Sequence, residues 1–252
     1  MLQINNLKTI SPIEYEGIFV IETNNIDELI SNFYKYEIKN LKTVFEIENS
    51  EISIKNAIIV SPLTKLEELY NLSAKNILTK IILNNENLDV QAIFNNDKFL
   101  EEIDKINDWI SDEFLTINMD KIKIMKNLIS LDDEKFISEK TFEKWLGNFE
   151  STNKQLIILK DFTIPCATLS KYLNKFNFLV ITNNLFSIIE NLNELECCAF
   201  EKQSNLYQFI STDSIKIWFE DEYNVKNVNS ERVLEELKNN EFKQIKLKKQ
   251  LI

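Results

Sequence analysis

The sequence contains no histidine among its 252 residues. Histidine is the commonest general base and metal ligand near neutral pH, so its absence excludes Ser-His-Asp and Cys-His catalytic sets and most zinc sites. Glycine is scarce as well, with only 2 residues, and a glycine-rich loop that cradles phosphate is therefore excluded. Both absences favour a protein that is not an enzyme.

Cysteines and long apolar runs are also few. Cys197 and Cys198 are adjacent and Cys166 stands apart, which gives no disulfide framework and favours reduced thiols. The longest apolar runs have 4 residues, whereas a membrane helix needs about 20. The segment MLQINNLKTI lacks the apolar stretch of a signal peptide. We therefore expect a cytoplasmic protein with no membrane partner.

The chain is acidic, with a formal net charge of -11. Of the 29 basic residues, Arg232 is the single arginine and the rest are lysines. A chain of this charge is not expected to be coated with nucleic acid. A local basic surface on an acidic body remains open, because binding depends on where the charge lies.

Short apolar runs alternate with amphipathic segments along much of the chain, which predicts an α/β fold with a parallel central sheet. Continuous apolar runs predict strands covered on both faces, the run 57–60 among them. Four such runs are 18–21, 57–60, 156–159 and 178–181. Helices are expected at 167–176 and 184–195, and shorter strands at 197–202, 207–212 and 214–219.

The middle of the chain differs in character. Between residues 86 and 113 there are 9 acidic residues against 2 lysines. The stretch DKFLEEIDKINDWI has the apolar spacing of an amphipathic helix, as do the segments around 122–129 and 142–149. We interpret this section as an inserted helical leg. We predict an α/β head in two parts, at 1–92 and 152–222. The helical leg lies between them at 93–151, and a C-terminal extension follows at 223–252.

The segment EGIFVIETNNIDELI has the strand-turn-helix order in which nucleotide-binding proteins hold phosphate. Its turn lacks glycine and lysine, and Asn24 or Asn25 can cap the helix with a side chain instead. Asp27 and Glu28 would then complement the helix dipole and repel a phosphate. A self-capped structural helix is the favoured interpretation, and no bound nucleotide is expected.

Several carboxylates admit two interpretations each. Asp161 follows a strand, as a magnesium ligand does in some nucleotide hydrolases, but an acid that caps the next turn is favoured. Asp112, Glu113 and Asp120 offer oxygens to calcium, yet the chain has no Asp-x-Asp-x-Asp-Gly loop. A solvated acidic helix face is the alternative for these three.

Positive charge inside the chain is concentrated in one stretch, at Lys121, Lys123, Lys126, Lys135, Lys140 and Lys144. In a helix, Lys123 and Lys126 lie near one face. Lysines without accompanying base-reading side chains would contact phosphates and ignore sequence. The alternative is a solvated helix face in a lysine-rich protein.

Taken in order, these segments resemble the fourth adaptation protein of type II-A CRISPR systems, the Csn-two family. The similar segments are the following, which together span roughly residues 16 to 200: GIFVIETNNIDELISNFYKYE, IKNAIIVSPL, MDKIKIMKNLISL and LIILKDFTIPCATLSKYLNKFNFLVITN. The resemblance lies in order and pattern, since each piece alone is a common βα unit.

The resemblance implies a degenerate phosphate-loop-NTPase-like head, an inserted helical leg and a non-catalytic role in antiviral defense. It implies a homotetrameric ring that holds double-stranded DNA ends in a lysine-lined hole, steadied by calcium. The implied partners are double-stranded DNA, the CRISPR integrase and the effector nuclease, with spacer acquisition as the process. Residues 116–118 are uncharged where the family carries carboxylates.

Two other functions stay open on the sequence. One is a nucleotide hydrolase with an aberrant phosphate site, in which Glu22 and Asp161 would hold magnesium. The other is a helical interaction protein without a DNA role, whose partner surfaces would include Trp109 and Trp145.

Overall fold

The computed structural model describes residues 2–9, 15–85, 97–110, 120–209 and 211–252. The chain is a mixed α/β protein, as predicted. Its strands are β1 (Leu2–Ile4), β2 (Lys8–Thr9), β3 (Ile18–Glu22), β4 (Phe45–Ile47), β5 (Ser50–Ile52), β6 (Ile58–Val60), β7 (Gln155–Lys160), β8 (Phe176–Thr182), β9 (Cys198–Lys202) and β10 (Asn205–Gln208). Its α-helices are α1 (Ile26–Asn40), α2 (Leu66–Leu69), α3 (Ile77–Leu83), α4 (Asp97–Ile110), α5 (Lys121–Leu128), α6 (Glu139–Asn148), α7 (Cys166–Ser170), α8 (Thr212–Tyr223), α9 (Ser230–Lys238) and α10 (Glu241–Lys249).

The chain divides into two compact units. Unit 1 comprises Met1–Leu63 and Ser138–Ile252, and unit 2 comprises Thr64–Ile137. The sequence placed the leg at 93–151, so the two divisions differ on both sides. Helix α6 explains the difference at the C-terminal side, because its aromatic residues pack within unit 1. The ring centroids of Phe142 and Phe162 are 5.5 Å apart, and those of Trp145 and Phe176 are 5.9 Å apart. An amphipathic stripe predicts that a helix is packed, but not which unit it packs against.

Unit 1 is built on a seven-stranded sheet with the order β2-β10-β9-β3-β8-β7-β6. All neighbouring pairs are parallel except β9 and β10. The middle strands β3, β7 and β8 coincide with three predicted apolar runs, and every residue of β8 is buried. Strands that are covered on both faces need such runs, because neither side meets water.

The fourth apolar run lies elsewhere than predicted. Among the described strands, β6 pairs with β7 alone and therefore forms one edge of the sheet. Only Val60 of this strand is buried, while Ile58 and Ile59 are half-buried. The prediction of a central strand was wrong because a short apolar run does not encode its position in the sheet.

Two further local predictions are corrected by the fold. The segment 214–219 lies within helix α8 rather than in a strand, and the expected helix at 184–195 is replaced by two 3-10 helices, Leu185–Ser187 and Leu192–Cys197. Helix α4, at 14 residues, confirms the prediction for DKFLEEIDKINDWI. Among the described residues, no helix is long and apolar enough to span a membrane.

A small antiparallel sheet, β1-β4-β5, completes unit 1. Ile47 pairs with Ser50 across a two-residue loop. Glu48 and Asn49 in that loop both have positive φ, 49° and 67°, which is the conformation of the tight hairpin turn that matches strand twist.

The carboxylate of Glu37 in α1 fastens this hairpin to the helix. It accepts hydrogen bonds from the amides of Val44 and Ile54 at 3.0 and 2.9 Å and from the Ser53 hydroxyl at 2.6 Å. Burial acts to raise the pKa of Glu37, but these hydrogen bonds outweigh it and lower the pKa.

Candidate functional site

The carboxyl ends of β3 and β8 form the switch point of the large sheet. After β3 the chain continues through α1 and enters the sheet again at β6, on the β8 side of β3. After β8 it crosses in the opposite direction and enters the sheet at β9, on the far side of β3. Neighbouring strands whose connections leave in opposite directions open a crevice, and ligands of open α/β sheets bind there. The turn after β3, which the sequence singled out, lies at this point.

In this turn, side chains of the protein accept hydrogen bonds from backbone amides that would bind a phosphate ligand in a phosphate loop. Asn25 caps α1, its Oδ1 accepting from the Glu28 amide at 3.0 Å. Thr23 Oγ1 accepts from the Asn25 amide at 3.3 Å and donates to Glu201 at 3.0 Å. The Glu28 amide in the first turn of the helix is therefore capped by the protein itself, as the sequence predicted, with Asn25 as the cap.

An ion pair between Glu22 and Lys248 closes the centre of the switch point. Glu22 ends β3, and Lys248 reaches it from α10, near the other end of the chain. The two side chains are only 12% and 18% exposed. Glu22 also accepts from the Leu185 amide at 3.3 Å, so each of its oxygens has a partner.

Sequence reasoning missed Lys248. The pair joins residues 226 positions apart, and no periodicity links them. One signal was present: Glu22 ends a strand of four apolar residues, and a carboxylate at a buried strand end needs a cation or hydrogen-bond donors.

The cleft around this pair has a volume of about 820 Å³ and lies within unit 1. Its lining is polar, and it contains more lysines than carboxylates. The lining lysines are Lys202, Lys238, Lys248 and Lys249, and the carboxylates are Glu22, Glu201 and Glu241.

Within the described residues, Asp161 belongs to no group of side chains that could hold a metal ion. It is exposed, its φ is 50°, and its amide donates to the Ile181 carbonyl at 2.8 Å. Aspartate is one of the few residues that tolerate the left-handed conformation. The position after β7 therefore serves as a backbone turn, whereas the described residues show no capping hydrogen bond to the Asp161 carboxylate, so the predicted cap stays a prediction.

The predicted DNA-binding lysines are divided between the two units. In unit 2, Lys123 and Lys126 are exposed on α5, and Lys135 is exposed and pairs with Asp132 at 3.7 Å. The backbone of Lys121 begins the same helix, while its side chain lies outside the described part of the chain. In unit 1, exposed Lys140 and Lys144 lie on α6.

Of the three metal candidates, Asp112 and Glu113 lie outside the described residues. Asp120 is the N-cap of α5, where its Oδ1 accepts from the amides of Ile122 and Lys123 at 3.0 and 3.3 Å. Across the described ranges, no group of three metal-ligating side chains converges. The structure thus gives Asp120 a helix-capping role.

Two of the three thiols, those of Cys166 and Cys197, line a second cleft of unit 1. All three are free. Burial raises the pKa of Cys166 and of Cys198, whereas a hydrogen bond with Cys198 lowers the pKa of Cys197. The predicted reduced, structural state fits the two buried thiols, and Cys197 is the half-buried exception.

Comparisons with known proteins add no assignment: no model of a known protein family matches the chain, and no curated protein matches its sequence.

Proposed function

We propose that the chain is a non-catalytic protein that binds double-stranded DNA ends without reading sequence, as a homotetrameric ring of the Csn-two type. Its place would be in CRISPR spacer acquisition, beside the integrase and the effector nuclease. The phosphate-loop-like head and the calcium that steadies the ring belong to the same proposal.

The charge of helix α5 carries the proposal. Its sequence, KIKIMKNL, contains three lysines and no acid, within a chain of net charge -11. Lys123 and Lys126 are exposed, while Met125 between them is 1% exposed and Leu128 at the end of the helix is 54% exposed. The helix is thus anchored through Met125 and presents the ammonium groups of both lysines to solvent. Ammonium groups on a helix face neutralise phosphates irrespective of sequence.

The turn after β3 supports the non-catalytic part of the proposal. Nucleotide chemistry at that point needs free amides and a lysine directed at phosphate. Here the Asn25 side chain accepts from the Glu28 amide in the first turn of α1, and Lys248 is paired with Glu22.

The test compares two double variants that lose the same charge. K123M/K126M removes the exposed lysines of α5, and K35M/K39M removes two exposed lysines of α1 in unit 1. Binding to a fluorescent linear duplex is measured by anisotropy between about 50 and 200 mM salt. We expect K123M/K126M to weaken binding at least tenfold and to flatten the salt dependence, since lost phosphate contacts release fewer counterions.

The control K35M/K39M should leave both affinity and salt slope near those of the wild type. Equal losses in the two variants would mean that overall charge governs binding, and absence of salt-sensitive binding in the wild type would overturn the proposal. Calcium is tested by ring assembly with and without Ca²⁺ in analytical ultracentrifugation.

A second candidate function is an interaction module, and one observation favours it. Trp109 on α4 is 86% exposed, and an exposed tryptophan is a frequent anchor of protein interfaces. Trp145, the other suggested anchor, is 3% exposed and belongs to the core of unit 1, so that part of the hypothesis was wrong. Under this alternative, W109A abolishes partner capture while K123M/K126M has no effect on any binding.

A further inference from the structure

The cleft at the ends of β3 and β8 has the position and much of the lining of an anion site. Lys202, Lys238 and Lys249 are exposed around it, and Lys248 projects into its centre. Amide side chains add donors at Asn183, Asn184 and Asn239. Ammonium and amide groups at a switch point are the usual means of holding phosphate in an open α/β sheet.

The carboxylates of this cleft differ in what they do. Glu201 is satisfied by the Thr23 hydroxyl at 3.0 Å and the Ser204 amide at 2.7 Å. Glu241 is exposed in the first turn of α10. Only Glu22 has a lysine of the cleft as its ion-pair partner in the described part of the chain.

A phosphate that entered the cleft would have to take Lys248 away from Glu22. Glu22 is 12% exposed, and it would be left with the single neutral donor of Leu185. Stranding a nearly buried carboxylate in this way is strongly unfavourable. The pair therefore works against anion binding even though the surrounding lysines favour it.

We propose that Glu22 is a built-in substitute for a phosphate. Its carboxylate holds Lys248, excludes polyphosphate anions from the cleft, and fastens helix α10 over the carboxyl ends of the strands. The contact is an internal lock at a latent anion site, and it does not depend on DNA binding by α5.

The lock is tested by isothermal titration of the full chain with inorganic pyrophosphate. In E22Q the side chain keeps its shape but loses its charge, which frees Lys248 for the anion. We expect pyrophosphate to bind E22Q at least tenfold more tightly than the wild type, and the double variant E22Q/K248M to lose this gain. E241Q removes one carboxylate from the same cleft without freeing a half-buried lysine and should behave as the wild type.

Three results would overturn the lock: equal binding by the wild type and E22Q, absence of binding by folded E22Q, or the same gain in E241Q. A second measurement does not require E22Q to fold. In K248M the backbone amides of α10 should exchange with deuterium at least tenfold faster than in the wild type, while those of β8 stay unchanged. Unaltered exchange in α10 would show that Lys248 does not fasten the helix.

Discussion

Lys160, the last residue of β7, forms an ion pair with Asp27 in the first turn of α1. The pair connects the helix start after β3, where a nucleotide hydrolase would hold phosphate, with the end of β7, where it would hold magnesium. Each of the two charges is paired with the other rather than with a ligand. Asp161, next to Lys160, is exposed in a left-handed turn.

We therefore expect no hydrolysis of ATP that depends on Asp161. Wild type and D161N should release phosphate at the same background rate in a coupled assay with Mg²⁺. A wild-type rate at least tenfold above that of D161N would instead establish an active nucleotide site.

The two glycines make opposite predictions for stability. Gly17 has φ 105°, and a Cβ there would lie 2.7 Å from Cδ2 of the half-buried Leu173. G17A should destabilise the protein by about 2 to 4 kcal/mol, because the left-handed backbone conformation and the clash both oppose alanine.

Gly147 in helix α6 is the matched control. A Cβ there would meet Tyr172 at an ordinary 3.9 Å, and alanine has the better helix propensity by about 1 kcal/mol. G147A should therefore leave stability unchanged or raise it. Urea unfolding of the two variants measures both effects, and similar losses in both would contradict the glycine geometry.

Glu37 makes stability depend on pH. Its pKa is lowered in the folded protein, so its contribution is fully present above the unfolded value of about 4.3 and is lost as pH falls through the folded value. E37Q should lower the free energy of unfolding at pH 7 by about 2 kcal/mol, since hydrogen bonds to a charged group are replaced by weaker ones.

The difference between wild type and E37Q should shrink as the pH is lowered below about 4. E51Q, at an exposed residue of the same hairpin, should show neither effect. A difference between wild type and E37Q that stays constant from pH 7 to 3 would mean that the charge of Glu37 is not what fastens the hairpin.

The thiols should differ in reactivity. Cys166 and Cys198 are buried with raised pKa values, while Cys197 is half-buried with a lowered pKa. Thiolate is the reactive form, so a disulfide reagent should label only Cys197 rapidly in the native protein and all three thiols in denaturant. C197S should abolish the rapid phase, and rapid labelling of C197S would show that the buried thiols are accessible.

Whether a structural feature could be predicted from the sequence depends on how far apart in the chain the interacting residues lie. The α/β class, helix α4 and the capped turn at Asn25 follow from local patterns, because apolar spacing and capping residues act within a few positions. The edge position of β6, and the packing of α6 in unit 1 rather than unit 2, depend on the surface that each element contacts. Those surfaces are formed by segments that are distant in sequence. Long-range pairing carries no local signature.

The candidate site shows the same limit more sharply. The turn after β3 could be judged from its residues alone, since the lack of glycine and lysine is visible in the sequence. Its actual partner, Lys248, comes from α10 and was foreseeable only as a requirement that Glu22 be satisfied. The exposure of Lys123 and Lys126 follows from the apolar stripe that buries Met125.

A ring that binds the ends of double-stranded DNA can be distinguished from an open basic surface by a gel shift at low and high salt. The assay compares a linear duplex with the same duplex closed into a relaxed circle. We expect the linear form to be bound at low salt and released at high salt, and the circle not to be bound. Equal binding of both forms would mean an open basic surface and would contradict the ring.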